Sequence, residues 1–338
     1  MKLFFYSSVL LGAVGIAFFG VLRRWVMKGG LVSPMLFLIF SNAAATLLFF
    51  GIYISVWGLS IPGILPGFWT AVFITAGANV FIQLLNARSS SLVAGEVSLT
   101  APLQALTPGL ITIVALTLGE FPGKIGVAGI VLMSCGSFVL LSELRPAGAA
   151  RWYDSFKPFR VLGTIFRWTY LSETEKDKAK VVIMSIGSAC LGTIGLLFDG
   201  LFTRRGVNLQ GLTLGSMVLT GALCMVYCYW FLVRPDRNSA SIAKSSGRLM
   251  IGSLIGGAIW VALIYLINPA FSVEYVAYVG TLKRFSIPMS ALLGWWFFSE
   301  QNIKRRLWAA GLVTLGVILL SQDNLPARIS TQIEGWGL

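Results

Sequence analysis

The sequence predicts an all-α integral membrane protein, with ten transmembrane helices arranged as two inverted five-helix repeats. Three observations predict it. Hydrophobic residues make up 56% of the 338-residue chain and charged residues only 12%, about half the charged share of a soluble domain. Ten apolar runs have the length, about 20 residues, that a helix needs to cross the hydrocarbon core. The chain also matches itself at an offset of 180 residues, as Leu11-Gly12-Ala13-Val14-Gly15 against Leu191-Gly192-Thr193-Ile194-Gly195 shows.

The apolar runs lie at 3–22, 34–56, 67–87, 91–118 and 125–142, and again at 181–202, 209–233, 249–267, 275–298 and 307–321. They divide the chain into a first repeat (1–143), a basic amphipathic connecting loop (144–180), a second repeat (181–322) and a C-terminal tail (323–338). The first run is read as a membrane helix rather than a signal peptide. Arg23-Arg24 follows it instead of a small-residue cleavage site, and the pattern recurs at 191–204. In the connector, Arg151, Trp152, Phe156, Lys157, Phe166, Arg167 and Trp168 mix aromatic and basic side chains. Two readings are open there, a segment lying on the membrane and an ordinary linker.

The repeat holds register over long stretches. Phe18 falls on Phe198, Gly20 on Gly200, Arg24 on Arg204, Pro108 on Pro288, Glu120 on Glu300 and Gly136 on Gly316. An odd number of helices per copy makes the second copy enter the membrane from the opposite side, the plan that suits alternating access.

Loop charge gives an orientation. Loops after odd-numbered helices carry 19 Lys and Arg, including eight in 143–180, against five on the other side. The positive-inside rule then puts both termini outside the cytoplasm.

Composition also excludes classes. A net charge of +13 raises the question of nucleic acid, but the 26 Lys and Arg sit in short stretches between apolar runs, and no polar surface interleaved with aromatics exists to bind it. All four cysteines lie within apolar runs, which argues against a disulfide framework. Cys224 and Cys228 share a helix face at i, i+4, yet with no histidine in the chain they are read as packing residues rather than a metal site. No metal and no cofactor is expected.

Thr281 through Pro288, running on to Leu293-Gly294-Trp295-Trp296-Phe297-Phe298-Ser299-Glu300, resembles the end of the second repeat in the drug/metabolite transporter superfamily, EamA-type branch. The first-repeat counterpart is Pro102 to Pro108, then Leu118-Gly119-Glu120 and the Gly-rich Gly126-Val127-Ala128-Gly129. The resemblance covers both repeats. It implies a ten-helix carrier for small metabolites with both termini in the cytoplasm and a basic loop after the second helix. This chain departs on both points, since its charge count reverses the orientation and Val56 to Gly67 carries no charge.

Charges within membrane helices cost about 2.5–3.5 kcal/mol near a helix centre, so they point to function. Four stand out: Glu96, Asp199, Lys283 and Arg284. The pair Lys283-Arg284, about nine residues into the ninth helix at 1.5 Å per residue, holds a ligand anion, makes structural ion pairs or snorkels to the interface. Such a pair also resembles the phosphate-binding pair of the organic-phosphate translocators. Glu96 is a proton-coupling group, an acceptor for a substrate amine, or the partner of a buried cation. Asp199 reads as a helix-end partner of Arg204 and Arg205, and Glu120 and Glu300 as hairpin closures. Asn79, Gln83, Asn86, Gln104, Trp260, Tyr265, Tyr275 and Tyr278 complete the candidate lining, with an interface belt or core packing also open for Trp260 and Tyr265. Pro102, Pro108 and Pro288 mark either a cavity wall or packing kinks.

The expected function is secondary active transport of a small anionic or zwitterionic metabolite by alternating access, in the inner (plasma) membrane of a bacterium. Its expected binding residues are Lys283, Arg284, Glu96, Asn79, Gln83, Gln104, Tyr278 and Trp260. The partners are the solute, membrane lipids and a coupling proton or counter-substrate, with no nucleic acid and no enzymatic activity. The alternatives are a protein that handles lipid phosphate headgroups and a non-transporting membrane scaffold.

Overall fold

The computed structural model describes residues 2–28, 32–92, 110, 123–141, 173–233, 246–272, 279–280 and 282–298, and, between 308 and 319, residues 308, 311, 312, 314–316, 318 and 319. Among these residues every regular element is helical. We number them α1 (Lys2–Met27), α2 (Pro34–Trp57), α3 (Phe68–Ser91), α4 (Lys124–Leu141), α5 (Glu173–Arg205), α6 (Leu209–Val233), α7 (Ser246–Ile267) and α8 (Ser286–Phe298). Short 3-10 turns at Asn268–Ser272 and Lys283–Phe285 extend α7 and precede α8. Six of the helices, α1–α3 and α5–α7, are long and apolar enough to cross a membrane.

Local chemistry sets several ends. Pro34 opens α2 in the first turn, where its missing N–H is one of the unpaired donors anyway. Gly58 ends that helix at φ 64°, and Gly67 precedes α3 at φ 83°. Both are left-handed values that glycine adopts without a Cβ clash.

The bundle is stitched by close helix approaches. In α1 and α7 the contacts run in opposite order: Gly12 lies against Ile267, Gly15 against Leu263, and Gly252 against Val26. The two helices are therefore antiparallel. By the same reasoning α3 and α5 are antiparallel, with Leu85 against Gly187 and Phe68 against Phe202. So are α2 and α6, where Thr46 Oγ1 donates to Thr220 Oγ1 at 2.9 Å and Cys224 Sγ reaches the Ile39 carbonyl. Parallel contacts join α2 to α7 and α3 to α6; the latter carry the Tyr227 hydroxyl to the Val80 carbonyl at 2.7 Å. Helix α8 runs parallel to α1, ending with Phe298 beneath the Lys28 ammonium. One end of the bundle thus carries Met27 and Ser91, and the other carries Trp57 and Arg205.

The main core joins both halves of the chain: Phe37, Phe68, Val72, Phe202, Leu223 and Tyr227 are all buried together. Outward, large apolar side chains are exposed, among them Leu47 (70%), Met225 (70%), Leu232 (77%) and Trp296 (73%). A chain in water does not leave so many large apolar groups uncovered. Hydrocarbon is the solvent that suits this surface.

Several expected boundaries shift. Helix α1 continues to Met27, five residues beyond the expected run, and places Arg23 and Arg24 on the helix rather than in a loop. Helix α5 starts at Glu173, inside the expected connector, where Lys180 pairs with Asp177 one turn away at 3.0 Å. The expected continuous helix over 275–298 is interrupted by the turn at Lys283–Phe285. Pro288 explains the break, because a proline in a helix removes its own donor and its ring crowds the carbonyl four residues back, here that of Arg284. The expected runs at 91–118 and 307–321, and most of 144–180, lie wholly or largely outside the described residues.

Candidate functional site

Five helices, α1, α2, α3, α7 and α8, surround a cavity of about 150 Å³. From α1 it receives Ile16, Phe19 and Arg23, and from α2 Phe37 and Leu38. Helix α3 contributes Asn79, Gln83 and Asn86, α7 contributes Trp260, and α8 contributes Ser286 and Ser290. Asn79 lies near the centre of α3, and Trp260 near the centre of the Ser246–Ser272 span. Arg23 stands one turn before the end of α1, about 6 Å from it at 1.5 Å per residue. The cavity therefore runs from mid-bundle toward the Met27 end.

Its polar groups are held in place. Asn42 Nδ2 donates to Gln83 Oε1 at 2.9 Å and to the Leu38 carbonyl at 2.8 Å, which fixes the Gln83 amide and leaves its nitrogen for other acceptors. Asn79 Nδ2 donates back to the Thr75 carbonyl at 3.0 Å. Arg23 Nε donates to Ser90 Oγ at 3.0 Å, and its guanidinium lies over the Phe19 ring at 6.0 Å. Phe19 in turn packs against Phe37 and Trp260, making one wall aromatic. The Trp260 indole N–H is buried with no acceptor among the described residues. A donor in that state costs free energy until something accepts from it.

Next to Arg23, Arg24 turns elsewhere. It is buried, and its Nη1 donates to the carbonyls of Ser90 at 2.9 Å and Leu92 at 2.6 Å, closing the end of α3. Those are carbonyls that a helix end leaves without partners.

A second charged cluster lies toward the opposite end. Asp199 of α5 and Lys283 of the 3-10 turn lie near enough for their opposite charges to act on each other, without a direct ion-pair contact, and Arg284 follows Lys283 in the chain. Lys283 also sits over the Phe271 ring at 5.3 Å. Arg284 Nε is buried without an acceptor among the described residues. Arg204, expected to pair with Asp199, directs its Nε to the Phe271 carbonyl at 2.8 Å; Lys283 is the charge that acts on Asp199.

The structure thus brings Asn79, Gln83, Asn86 and Trp260 to one cavity, and gathers Lys283, Arg284 and Asp199 into a separate cluster outside that lining. Ser286 and Ser290 bridge the two along the chain. Tyr265 shares its hydroxyl with Thr213 at 2.8 Å, away from the cavity. Glu96, Gln104, Tyr275, Tyr278, Glu120, Glu300, Pro102 and Pro108 lie outside the described residues. Sequence reasoning missed Arg23, which it counted as a loop charge because the apolar run stops at Leu22. It also missed Ser286 and Ser290, whose i, i+4 spacing in an apolar helix was a legible sign of one polar face.

No known family's sequence model matches the chain, and no curated protein matches it. Among solved structures, one described only as "Crystal structure of protein" aligns over 98% of this chain and 97% of that one, with a TM-score of 0.60 and 13% identity. At that identity the likeness establishes a shared fold and nothing about activity.

Proposed function

We propose that the chain is a secondary active carrier for a small anionic or zwitterionic metabolite, built as ten transmembrane helices in two inverted five-helix repeats. The observation that carries this reading is the cavity: a largely apolar space that Arg23, Asn79, Gln83, Asn86 and two serines also line, formed from both halves of the sequence. Polar lining inside an apolar bundle is costly unless a solute or water occupies it. The helix directions support the inverted plan. Adding 180 to the residue numbers takes α1 to α5, α2 to α6 and α3 to α7, and the members of each pair run in opposite directions. In such carriers the solute sits near the midplane between the repeats, and rocking of the halves exposes it to each side in turn.

The two charged clusters suit this cycle. Arg23 lies toward one end of the bundle and the Asp199–Lys283 pair toward the other, so each conformation would open past one of them. In the present arrangement the cavity reaches toward Arg23.

The test is counterflow into proteoliposomes holding the purified protein. Vesicles preloaded with lactate, alanine, benzoate, phosphate or uridine are diluted into the labelled form of the same compound. Saturable, protein-dependent accumulation of an anionic or zwitterionic compound is the expected result. Accumulation of uridine alone would refute the solute class, and no accumulation of any of the five would refute the carrier reading in favour of a scaffold.

A further inference from the structure

The charge arrangement of the cavity specifies its ligand more closely. We infer that it recognises a small monocarboxylate, with Arg23 holding the carboxylate and the Trp260 indole N–H donating to a second acceptor on the same molecule. The inference rests on the carrier reading only for the identification of that ligand as cargo.

Among the described residues Arg23 is the one charged side chain in the lining, and no described carboxylate accompanies it there. Its Nε is already committed to Ser90 Oγ, and its ring contact is with Phe19. The two terminal amino groups donate to no described residue. Ser90 and Phe19 thereby fix the plane of the guanidinium and leave its fork, the part that matches a carboxylate in a bidentate fashion, turned to the cavity. For a half-buried guanidinium whose terminal amino groups have no described acceptor, a carboxylate supplies charge-assisted hydrogen bonds.

Size and charge set further limits. A cavity of about 150 Å³ is comparable with an engineered one that holds benzene, so a ligand with a body of about six heavy atoms fits. One positive charge balances one negative charge. A dianion would leave its second charge uncompensated among Phe19, Phe37 and Ile287. The aromatic wall of Phe19, Phe37 and Trp260 favours an apolar or aromatic body over a polyhydroxylated one.

The experiment uses the purified full-length protein and acid/amide pairs that differ in charge but little in shape: benzoate with benzamide, and lactate with lactamide. Succinate is added as a dianion. A ligand that binds the native state raises the unfolding temperature in a concentration-dependent way. Benzoate or lactate is expected to stabilise the protein, its amide not to, and succinate to bind at least about tenfold more weakly. Arg23→Gln should weaken the acid by about 10- to 100-fold, Arg23→Lys should recover part of that, and Trp260→Phe should weaken it less.

Equal binding of an acid and its amide overturns the inference, as does parent-like affinity in Arg23→Gln or the absence of any response in the parent. If Arg23→Gln does not fold, the acid/amide comparison in the parent protein decides alone. Arg23-dependent carboxylate binding without counterflow upholds the site and refutes the carrier reading. Carboxylate counterflow that is equal in parent and Arg23→Gln does the reverse.

Discussion

Arg24 and Arg204 stand 180 positions apart and do the same work at opposite ends of the bundle. Arg24, on α1, donates to the carbonyls of Ser90 and Leu92 at the end of α3. Arg204, on α5, donates to the carbonyl of Phe271, in the turn that ends α7. Phe271 is the counterpart of Ser91 under the same offset. Each arginine ties the first helix of its own half to the third, supplying donors where a helix end leaves carbonyls bare.

Replacing either arginine should therefore cost stability. Arg24→Ala is expected to lose about 1.5–3 kcal/mol, the usual contribution of a charged hydrogen bond. Arg24→Lys should recover part of that, because both bonds leave one nitrogen, Nη1, and an ammonium also has several donors on one nitrogen, though on a shorter and more flexible stem. Denaturant unfolding in detergent checks both. A lysine variant as stable as the parent would show that charge alone suffices.

Two glycines should respond in opposite directions to alanine. A Cβ on Gly257 would lie 2.8 Å from Ala44 Cβ, 2.9 Å from the Ala45 nitrogen and 2.9 Å from the Ser41 carbonyl oxygen. Two of those neighbours are α2 backbone, so α7 would have to move away, at about 1–3 kcal/mol. Gly192 meets nothing within 4 Å, so alanine there should be neutral or stabilising by up to about 1 kcal/mol through helix propensity. Thermal midpoints of the two variants give the comparison directly.

The Asp199–Lys283 pair should be energetically coupled. Asp199→Asn or Lys283→Gln alone leaves the opposite, half-buried charge without its counter-charge. The double variant should be less damaged than the sum of the singles, with a coupling of about 0.5–3 kcal/mol. Additive losses in a double-mutant cycle would mean that the two charges do not feel each other.

The cysteines report on the solvent around the helices. Cys135 and Cys190 are exposed on the outer surface of the bundle. If that surface faces lipid, a charged reagent has to enter hydrocarbon to reach either thiol, which is costly. A charged thiol reagent should leave both unmodified in intact membranes and modify them after denaturation in detergent. Rapid labelling in the membrane would place that face in water.

Much of this protein was legible in the sequence because the bilayer imposes length. Apolar runs at 34–56 and 209–233 became α2 and α6 almost to the residue, since in hydrocarbon every backbone group must be satisfied within its own helix. That Asn79, Gln83, Asn86 and Trp260 would line a cavity was legible too, because amides and an indole in apolar runs call for partners. Arg23 was not. Hydropathy ends a run at the first charge, whereas the backbone continues helical to Met27. The direction of each side chain then depends on its neighbours: Ser90 and Phe19 turn Arg23 to the cavity, while the carbonyls of Ser90 and Leu92 draw Arg24 away. The adjacent cations Lys283 and Arg284 were equally visible as expensive charges, but only Asp199 and the break before Pro288 decided that they form a cluster outside the lining. Sequence determines which segments enter the membrane, because burial of apolar surface is local to each helix. Tertiary structure decides which polar groups meet, because that depends on the packing of helices distant in the chain.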